Sequence, residues 1–580
     1  MTQHYRAPVK LTDEAVRKLS RWQFIALLLI IVVTILTATD FWTLHDLDGA
    51  ALAMQIAAGP VSGVLLPTMT GVPAVDTNPL TAWSAALVLK LIGPGGLVHL
   101  VSAITAMRIT AALWFLAAMG TLWVAARAFA RRNAVKPLTF AFGGEASPTD
   151  YSRAVADISV LLLMATCGLL ARRHEAASDA ALLWAGAFNL LALARSLENP
   201  RRGAVLAGAA TAFTFFAGNL YLALATFAAD LFCFARVRAF GGNRKERSQT
   251  LVVSALGISI LWPLLSFAFA GPETASTWWA AWLPAAFAGI GWAGLEPLAW
   301  VFKNGVWYLF PLWPLVVLAI VRWHRQRREA ELRILLISVL MPFFTAFFSG
   351  NGNPNLVFLG FLPPMSLFAA FGLVTMRGRH RSIIDWFFLA VSTMAVLIGW
   401  SYWAAWLLGT PPKMWQSMML LAPASHPVID AGLYLAVVAS ILWLALFIWR
   451  FTHRPAFVWS GAWLAATGTT AVFAVWIGLF HSAADVNRSY DPVAHSVKVV
   501  YTALGGTPGG CIETQGVPLG LAGYLEVKTG IRMTDREGAC PIRLLRLDKR
   551  GAKPVLPEHS AGPIARPHTN EYFYLVADDE

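Results

Sequence analysis

A chain of 580 residues with 57% hydrophobic and only 13% charged side chains is not an ordinary soluble domain, whose charged share is about 25%. It reads as a protein that crosses a membrane many times. The formal net charge of +13 does not argue for a nucleic-acid partner, because the Lys and Arg residues alternate with apolar runs and so report orientation in a membrane.

Runs of roughly 18 apolar residues are what a helix needs to cross about 30 Å of hydrocarbon. Thirteen such segments are read, near 22–39, 109–126, 154–171, 178–194, 203–217, 219–235, 251–270, 306–321, 334–349, 356–374, 384–408, 432–449 and 457–480. The short pair from 203 to 235 reads either as two spans or as a re-entrant segment. The first run follows a polar segment without a small-x-small cleavage site, so it is expected to stay as an uncleaved span. With the N-terminus inside, the basic clusters around Arg17, Arg131, Arg201, Lys245, Arg327, Arg379 and Arg454 all fall on the cytoplasmic side. Only Lys90, Arg108, Arg172, Arg173, Lys303 and Lys413 remain in the external loops. This asymmetry is the positive-inside pattern, and a slip of one span would invert it downstream.

An odd number of spans places the tail outside. The expected architecture is an all-α polytopic membrane domain over 1–480, with interfacial helices in its first external loop, followed by a small periplasmic α/β domain over 481–580. The tail's short apolar runs, VKVVYTAL, AGYLEV, PIRLLRL and EYFYLV, are separated by Gly, Pro and charges, as in a small sheet-and-helix fold. Cys511 and Cys540 lie there, in an oxidising compartment where a disulfide between them is expected, whereas Cys167 and Cys233 sit in spans as packing residues. The chain contains no CxxC, HExxH or glycine-rich phosphate loop.

The first external loop carries the unusual chemistry. Asp40, Asp46 and Asp48 fall within DFWTLHDLD, at the very end of the first span, and Asp76 follows in the same loop within VPAVDTNPLTAW. Such acids ordinarily solvate a loop or cap its helices. Alternatively, one serves as a catalytic base and another helps to hold Mg²⁺ or Mn²⁺, since hard cations take oxygen ligands and neutralise phosphate.

The order D-x(4)-A from Asp48 to Ala53, followed by Asp76, Pro79, Leu80 and Trp83 in an acid-x-x-P-L-x-x-W arrangement, resembles the GT-C superfamily of membrane glycosyltransferases. The likeness is strongest to the aminoarabinose transferases (ArnT) and the protein-mannosyltransferase-like group. HEAASDAAL (His174 to Leu182), KNGVWYLFPLWP (Lys303 to Pro314) and SGNGNPNLVFLGFLPP (Ser349 to Pro364) stand in the family's order. Thirteen spans and an external C-terminal domain fit as well. The chain departs from the pattern at Gly49, Leu52, Thr77 and Asn78, where the family favours Glu, Tyr, Lys and Pro. It also has no clear match between Thr274 and Trp300 for the family's metal-holding histidine.

The resemblance implies transfer of a sugar from a polyprenyl-phosphate donor to a lipid A, glycan or protein acceptor at the periplasmic face of a bacterial inner membrane. It makes Asp48 and Asp76 the catalytic residues, both also candidates to hold a divalent cation, with Asp46 the competitor of Asp48 for the role of base. Positive groups must meet the leaving phosphate; Arg172, Arg173, Lys303 and Lys413 are the candidates. For the arginine pair a local salt bridge to Glu175 or Asp179 is the competing reading. His174 reads as a surface residue or as a ligand of metal or phosphate. The 25 tryptophans form interfacial belts first and sugar platforms second. A polyprenyl-linked glycan flippase or polymerase, or a secondary transporter, are the other classes for such a chain; the latter calls for repeated halves and midplane charges, neither of which is seen here.

Overall fold

In the computed structural model, each of the thirteen apolar segments lies on a helix or on a helix broken once. The structure describes residues 8–37, 40–74, 79–172, 179–218, 220–237, 240, 243–349, 354–376, 378–423, 425–453, 457–548, 560–566, 569 and 571–577. Asp76, Arg173, His174 and Glu175 lie outside the described residues.

The first span is α1 (Arg21–Leu36). The loop after it folds into α2 (Leu44–Ala58), α3 (Val61–Leu65), a two-stranded turn of β1 (Thr68–Met69) and β2 (Val72–Pro73), and α4 (Pro79–Ile92). The expected interfacial helices are therefore present. The bundle continues through α5 (Ala103–Ala130), α6 (Pro148–Met164), α7 (Cys167–Ala171), α8 (Ala180–Ser196), α9 (Pro200–Ala217), α10 (Leu220–Arg236), α11 (Arg244–Ser259), α12 (Leu261–Ala270) and α13 (Pro272–Ala288). After α14 (Glu296–Trp300) a π-helical turn leads into α15 (Val306–Tyr308). Then follow α16 (Leu312–Arg322), α17 (Ala330–Phe347), α18 (Pro354–Leu359), α19 (Leu362–Leu373), α20 (Gly378–Leu408), α21 (Pro412–Leu421), α22 (Ala431–Thr452) and α23 (Ser460–Arg488).

Among the described residues seven helices are long and apolar enough to cross a membrane alone, and the pair Glu296–Tyr308 and Leu312–Arg322, bent by 101°, makes an eighth candidate. The chain is a multi-pass membrane protein. The segments from 203 to 235 form two separate helices, α9 and α10.

Local chemistry explains where helices begin. Ser147 accepts from the Asp150 amide while its hydroxyl bonds the Asp150 carboxylate, with Pro148 opening α6. Asp430 caps α22 through the Gly432 and Leu433 amides. Nothing between 480 and 488 breaks a helix, so α23 runs past residue 480 to Arg488 and the last span continues into the tail.

The tail domain begins with α24 (Asp491–Ala503). Its sheet has the order β4-β3-β5-β7-β6, built from β3 (Cys511–Gln515), β4 (Arg532–Thr534), β5 (Ile542–Asp548), β6 (Ser560–Ala565) and β7 (Glu571–Ala577). β3 runs parallel to β4 and β5, and β5, β7 and β6 are antiparallel. Helix α25 (Leu519–Thr529) crosses between β3 and β4 and ends at Gly530 in the left-handed conformation. Cys511 and Cys540 form the expected disulfide, with Cα atoms 5.5 Å apart.

One apolar core unites this domain with the first loop. Leu47, Ala50, Ala51, Ala82 and Ala86 from the loop share it with Val497, Leu521, Tyr524 and Phe573 from the tail. The tail is seated directly on the loop that carries the aspartates.

Candidate active site at the first external loop

The three neighbouring carboxylates have three different environments. Asp40 accepts a hydrogen bond from the Ser489 hydroxyl, while its own amide and the Trp42 indole both donate to Asp485, at 2.9 and 2.6 Å. These bonds fasten the start of the loop to the end of α23, which gives Asp40 an anchoring role.

Thr43 caps α2 by accepting from the Asp46 amide. The cap sets the rotation of the helix, and the Asp46 side chain points inward. It is 0% exposed and lies 3.9 Å from the equally buried guanidinium of Arg108, which also reaches the Asp40 carbonyl and the Phe41 ring. A carboxylate enclosed beside an arginine cannot meet an acceptor hydroxyl arriving from water. Arg108, an external cation by sequence, is part of the core.

Asp48, two residues further, is half-buried. It abuts the first turn of α25: a Cβ added at Gly520 would fall 1.6 Å from Asp48 Oδ1 and 2.7 Å from its Cα. The carboxylate is thus packed against the start of α25.

One helical turn before Asp48, His45 Nε2 lies 2.8 Å from Asp179 Oδ1, and Arg172 bonds the other carboxylate oxygen at 2.5 Å. Asp179 is buried. For Arg172 the salt bridge with Asp179 is therefore present, at the end of an apolar crevice lined by Ile31, Ile35, Phe115 and Leu183. His45 and Asp179 were not singled out as site residues from sequence; the only signal was Asp179 close after the arginine pair.

A larger apolar cavity, of about 680 Å³, lies beside them. Its walls include Tyr402, Met418, Phe473, Trp476 and Phe480, and its edge reaches Trp42, Ala171, Asn487 and Arg488. Trp42 is three residues before His45 and Ala171 is next to Arg172, so the cavity ends where the polar group begins. Arg488 is exposed and makes no ion pair among the described residues. Lys413 is exposed on α21, one turn before the cavity-lining Ser417, and is not itself among the lining residues. Lys303 is exposed on the π-helical turn and lines neither space. Arg488 was missed because it closes the last span, where it read as part of the tail.

Trp83 donates to the Val64 carbonyl, Trp262 to Leu65 and Trp278 to Pro67, so this aromatic cluster pins the first loop to α12 and α13. Trp307 and Trp313 are exposed, while Tyr308 packs tightly on Gly168. Among the described residues no three His, Cys, Asp or Glu side chains converge as a metal site.

No family model matches the chain, and no curated protein matches it in sequence. Among solved structures, it is similar to ArnT from Cupriavidus metallidurans in the apo state: 13% identity, 95% of this chain and 97% of the other covered, TM-score 0.59. The same protein bound to undecaprenyl phosphate aligns at 14% identity over 95% and 97% of the two chains, TM-score 0.55. The fold expected from the loop motifs, an ArnT-like membrane bundle with a small C-terminal sheet domain, is thus the fold the chain has.

Proposed function

We propose that the chain is a membrane glycosyltransferase that moves a sugar from a polyprenyl-phosphate donor to an acceptor at the periplasmic face of a bacterial inner membrane. The supporting observation is the apolar cavity of about 680 Å³ that ends at Arg488 and Trp42, beside the carboxylate-bearing loop. An isoprenoid chain suits its aromatic and aliphatic walls, and a phosphate suits its cationic edge. The similar structure of ArnT with undecaprenyl phosphate supports the same reading.

In this reading Asp48 accepts the proton of the acceptor hydroxyl as that oxygen bonds the anomeric carbon. The bond from that carbon to the phosphate oxygen breaks, and polyprenyl phosphate leaves with the electron pair. Arg488 and Lys413 neutralise the developing charge, with Arg172 held in place by Asp179. The first turn of α25 roofs Asp48 and keeps bulk water from competing with the acceptor. Asp46 is assigned to structure because it is enclosed with Arg108.

A divalent cation, Mg²⁺ or Mn²⁺, is proposed to rest on Asp48 and Asp76 and to supply charge neutralisation at the phosphate; loss of turnover on chelation, restored by Mn²⁺, tests it. Lipid A, a glycan and a protein are the acceptor classes for this site. The decisive assay follows sugar release and transfer from a labelled polyprenyl-phosphate donor by the purified full chain. Asp48→Asn is expected to lower turnover by about 10²- to 10⁴-fold with folding intact. Near-wild-type turnover in that variant removes Asp48 from the mechanism.

A further inference from the structure

Lys303 lines neither apolar space, and the helix that carries it has a chemistry of its own. Glu296–Tyr308 runs as one helix through α14, the π-helical turn and α15. At Pro311, which has no amide with which to continue a helix, the chain turns by 101° into α16.

The corner is fixed at a known level of the bundle. The Cys167 amide donates to the Phe310 carbonyl at 2.9 Å, and Tyr308 packs against Gly168 so closely that no side chain would fit there. Ala171, on the same short helix α7, reaches the edge of the large cavity, and Arg172 after it pairs with Asp179. The helix before the corner therefore starts from the level of the candidate active site and lies across the direction of α16.

Its two faces differ. Pro297, Gly305 and Tyr308 are buried against the bundle, and Trp300 stacks on Phe358 at 5.5 Å. On the other face Leu295, Leu298, Phe302 and Val306 recur at steps of three and four residues, the spacing that sets them in one helical stripe, and all four are exposed, Leu295 by 71% and Phe302 by 72%. Glu296 and Lys303 each directly follow a residue of the stripe and are exposed, which gives it a polar flank. Trp307, 73% exposed, stands at the corner. The stripe does not end there: Trp313, Val317 and Val321 are exposed along α16, the other limb of this membrane-crossing candidate. A contiguous apolar stripe is unsuited to water. A helix with one apolar stripe, one charged flank and a terminal tryptophan suits the boundary between headgroups and acyl chains.

We infer that Glu296–Tyr308 lies in the plane of the membrane, in the leaflet that borders the candidate active site, with Leu295, Leu298, Phe302 and Val306 against phospholipid acyl chains and Glu296 and Lys303 at headgroup level. Lys303 is then a lipid-surface residue and not a partner of the donor phosphate. The inference needs only a membrane around the bundle and is independent of glycosyl transfer.

The test is fluorescence quenching of the full chain in phospholipid nanodiscs, with an environment-sensitive label on single cysteines in a background without Cys167 and Cys233. Labels at Leu295→Cys, Leu298→Cys and Phe302→Cys are expected to be quenched by lipid carrying a nitroxide high on its acyl chain and to lose quenching by iodide. Lys303→Cys is expected to show the reverse, and Phe142→Cys, at a fully exposed position, sets the scale for water. Should one stripe variant fail to fold, the other two carry the same reading. Iodide quenching along the stripe equal to that at position 142 would put it in water and overturn the inference. Shielding from both quenchers would mean that protein covers the stripe, and would overturn the lipid occupant. A helix in this plane sits about 5–10 Å into the boundary region, so stronger quenching by a nitroxide at the far end of the acyl chain would show a deeply inserted limb and overturn the in-plane placement.

Discussion

Gly520→Ala is the most informative single substitution, because it presses on Asp48 without altering its chemistry. The added methyl would stand 2.7 Å from Asp48 Cα, where ordinary contact begins near 3.4 Å, so α25 and α2 must separate by about 0.7 Å. Asp48 Oδ1, at 1.6 Å, can swing away, but only by leaving its present direction. Overpacking of this kind costs about 1–3 kcal/mol, borne by the core that the first loop shares with the tail. A displacement near 1 Å at a catalytic group lowers rate by up to about 10², so a 10- to 100-fold fall in kcat is expected. The large apolar cavity is lined by other helices, so if it takes the donor as proposed, KM for the donor should hardly move. Gly523→Ala supplies the control. It lies one turn further along α25 and faces the same helix, yet its Cβ would meet only the Ala51 methyl at 3.3 Å, with every other neighbour at 3.6 Å or beyond. Both variants are first checked for folding by size-exclusion chromatography and thermal melting, then assayed for sugar release. Wild-type turnover in Gly520→Ala, or an equal loss in Gly523→Ala, would refute the idea that α25 holds Asp48 in a working position.

Arg488→Ala is expected to raise the donor KM by about 10- to 100-fold, as loss of one charge-assisted contact of roughly 1.5–3 kcal/mol implies; an unchanged KM would take the phosphate away from the cavity edge. Asp179→Asn leaves Arg172 and His45 without the carboxylate they share, and breaking a buried pair of this kind costs about 3–5 kcal/mol, so a clearly lower melting temperature is expected; an unchanged melt would contradict the ion-paired arrangement. For sidedness, Gly49 is buried and makes a poor reporter, whereas positions 99, 142 and 536 are exposed. Single cysteines there, in a background without Cys167 and Cys233, should label from outside the cell at 99 and 536 but not at 142, and protection at 536 would break the proposed topology.

Apolar run length and the placement of Lys and Arg were enough to give the class, the helical segments, the long first loop and a tail of different texture, because each is a property of consecutive residues in one solvent. The Cys511–Cys540 pairing was legible for the same reason, as the only two cysteines outside the spans. The roles of the acids were not. Asp40, Asp46 and Asp48 are nearly equivalent in sequence, and a Thr43 cap that rotates α2, an Arg108 from α5 and a Gly520 from the tail decide which one is an anchor, which is enclosed and which lies half-buried against α25. His45 meets Asp179 across 134 residues and Asp40 meets Asp485 across 445. Local pattern carries no trace of such pairings, because the geometry of a carboxylate's surroundings exists only once distant helices have packed, and it is burial and charge at that point that give identical side chains different chemistry.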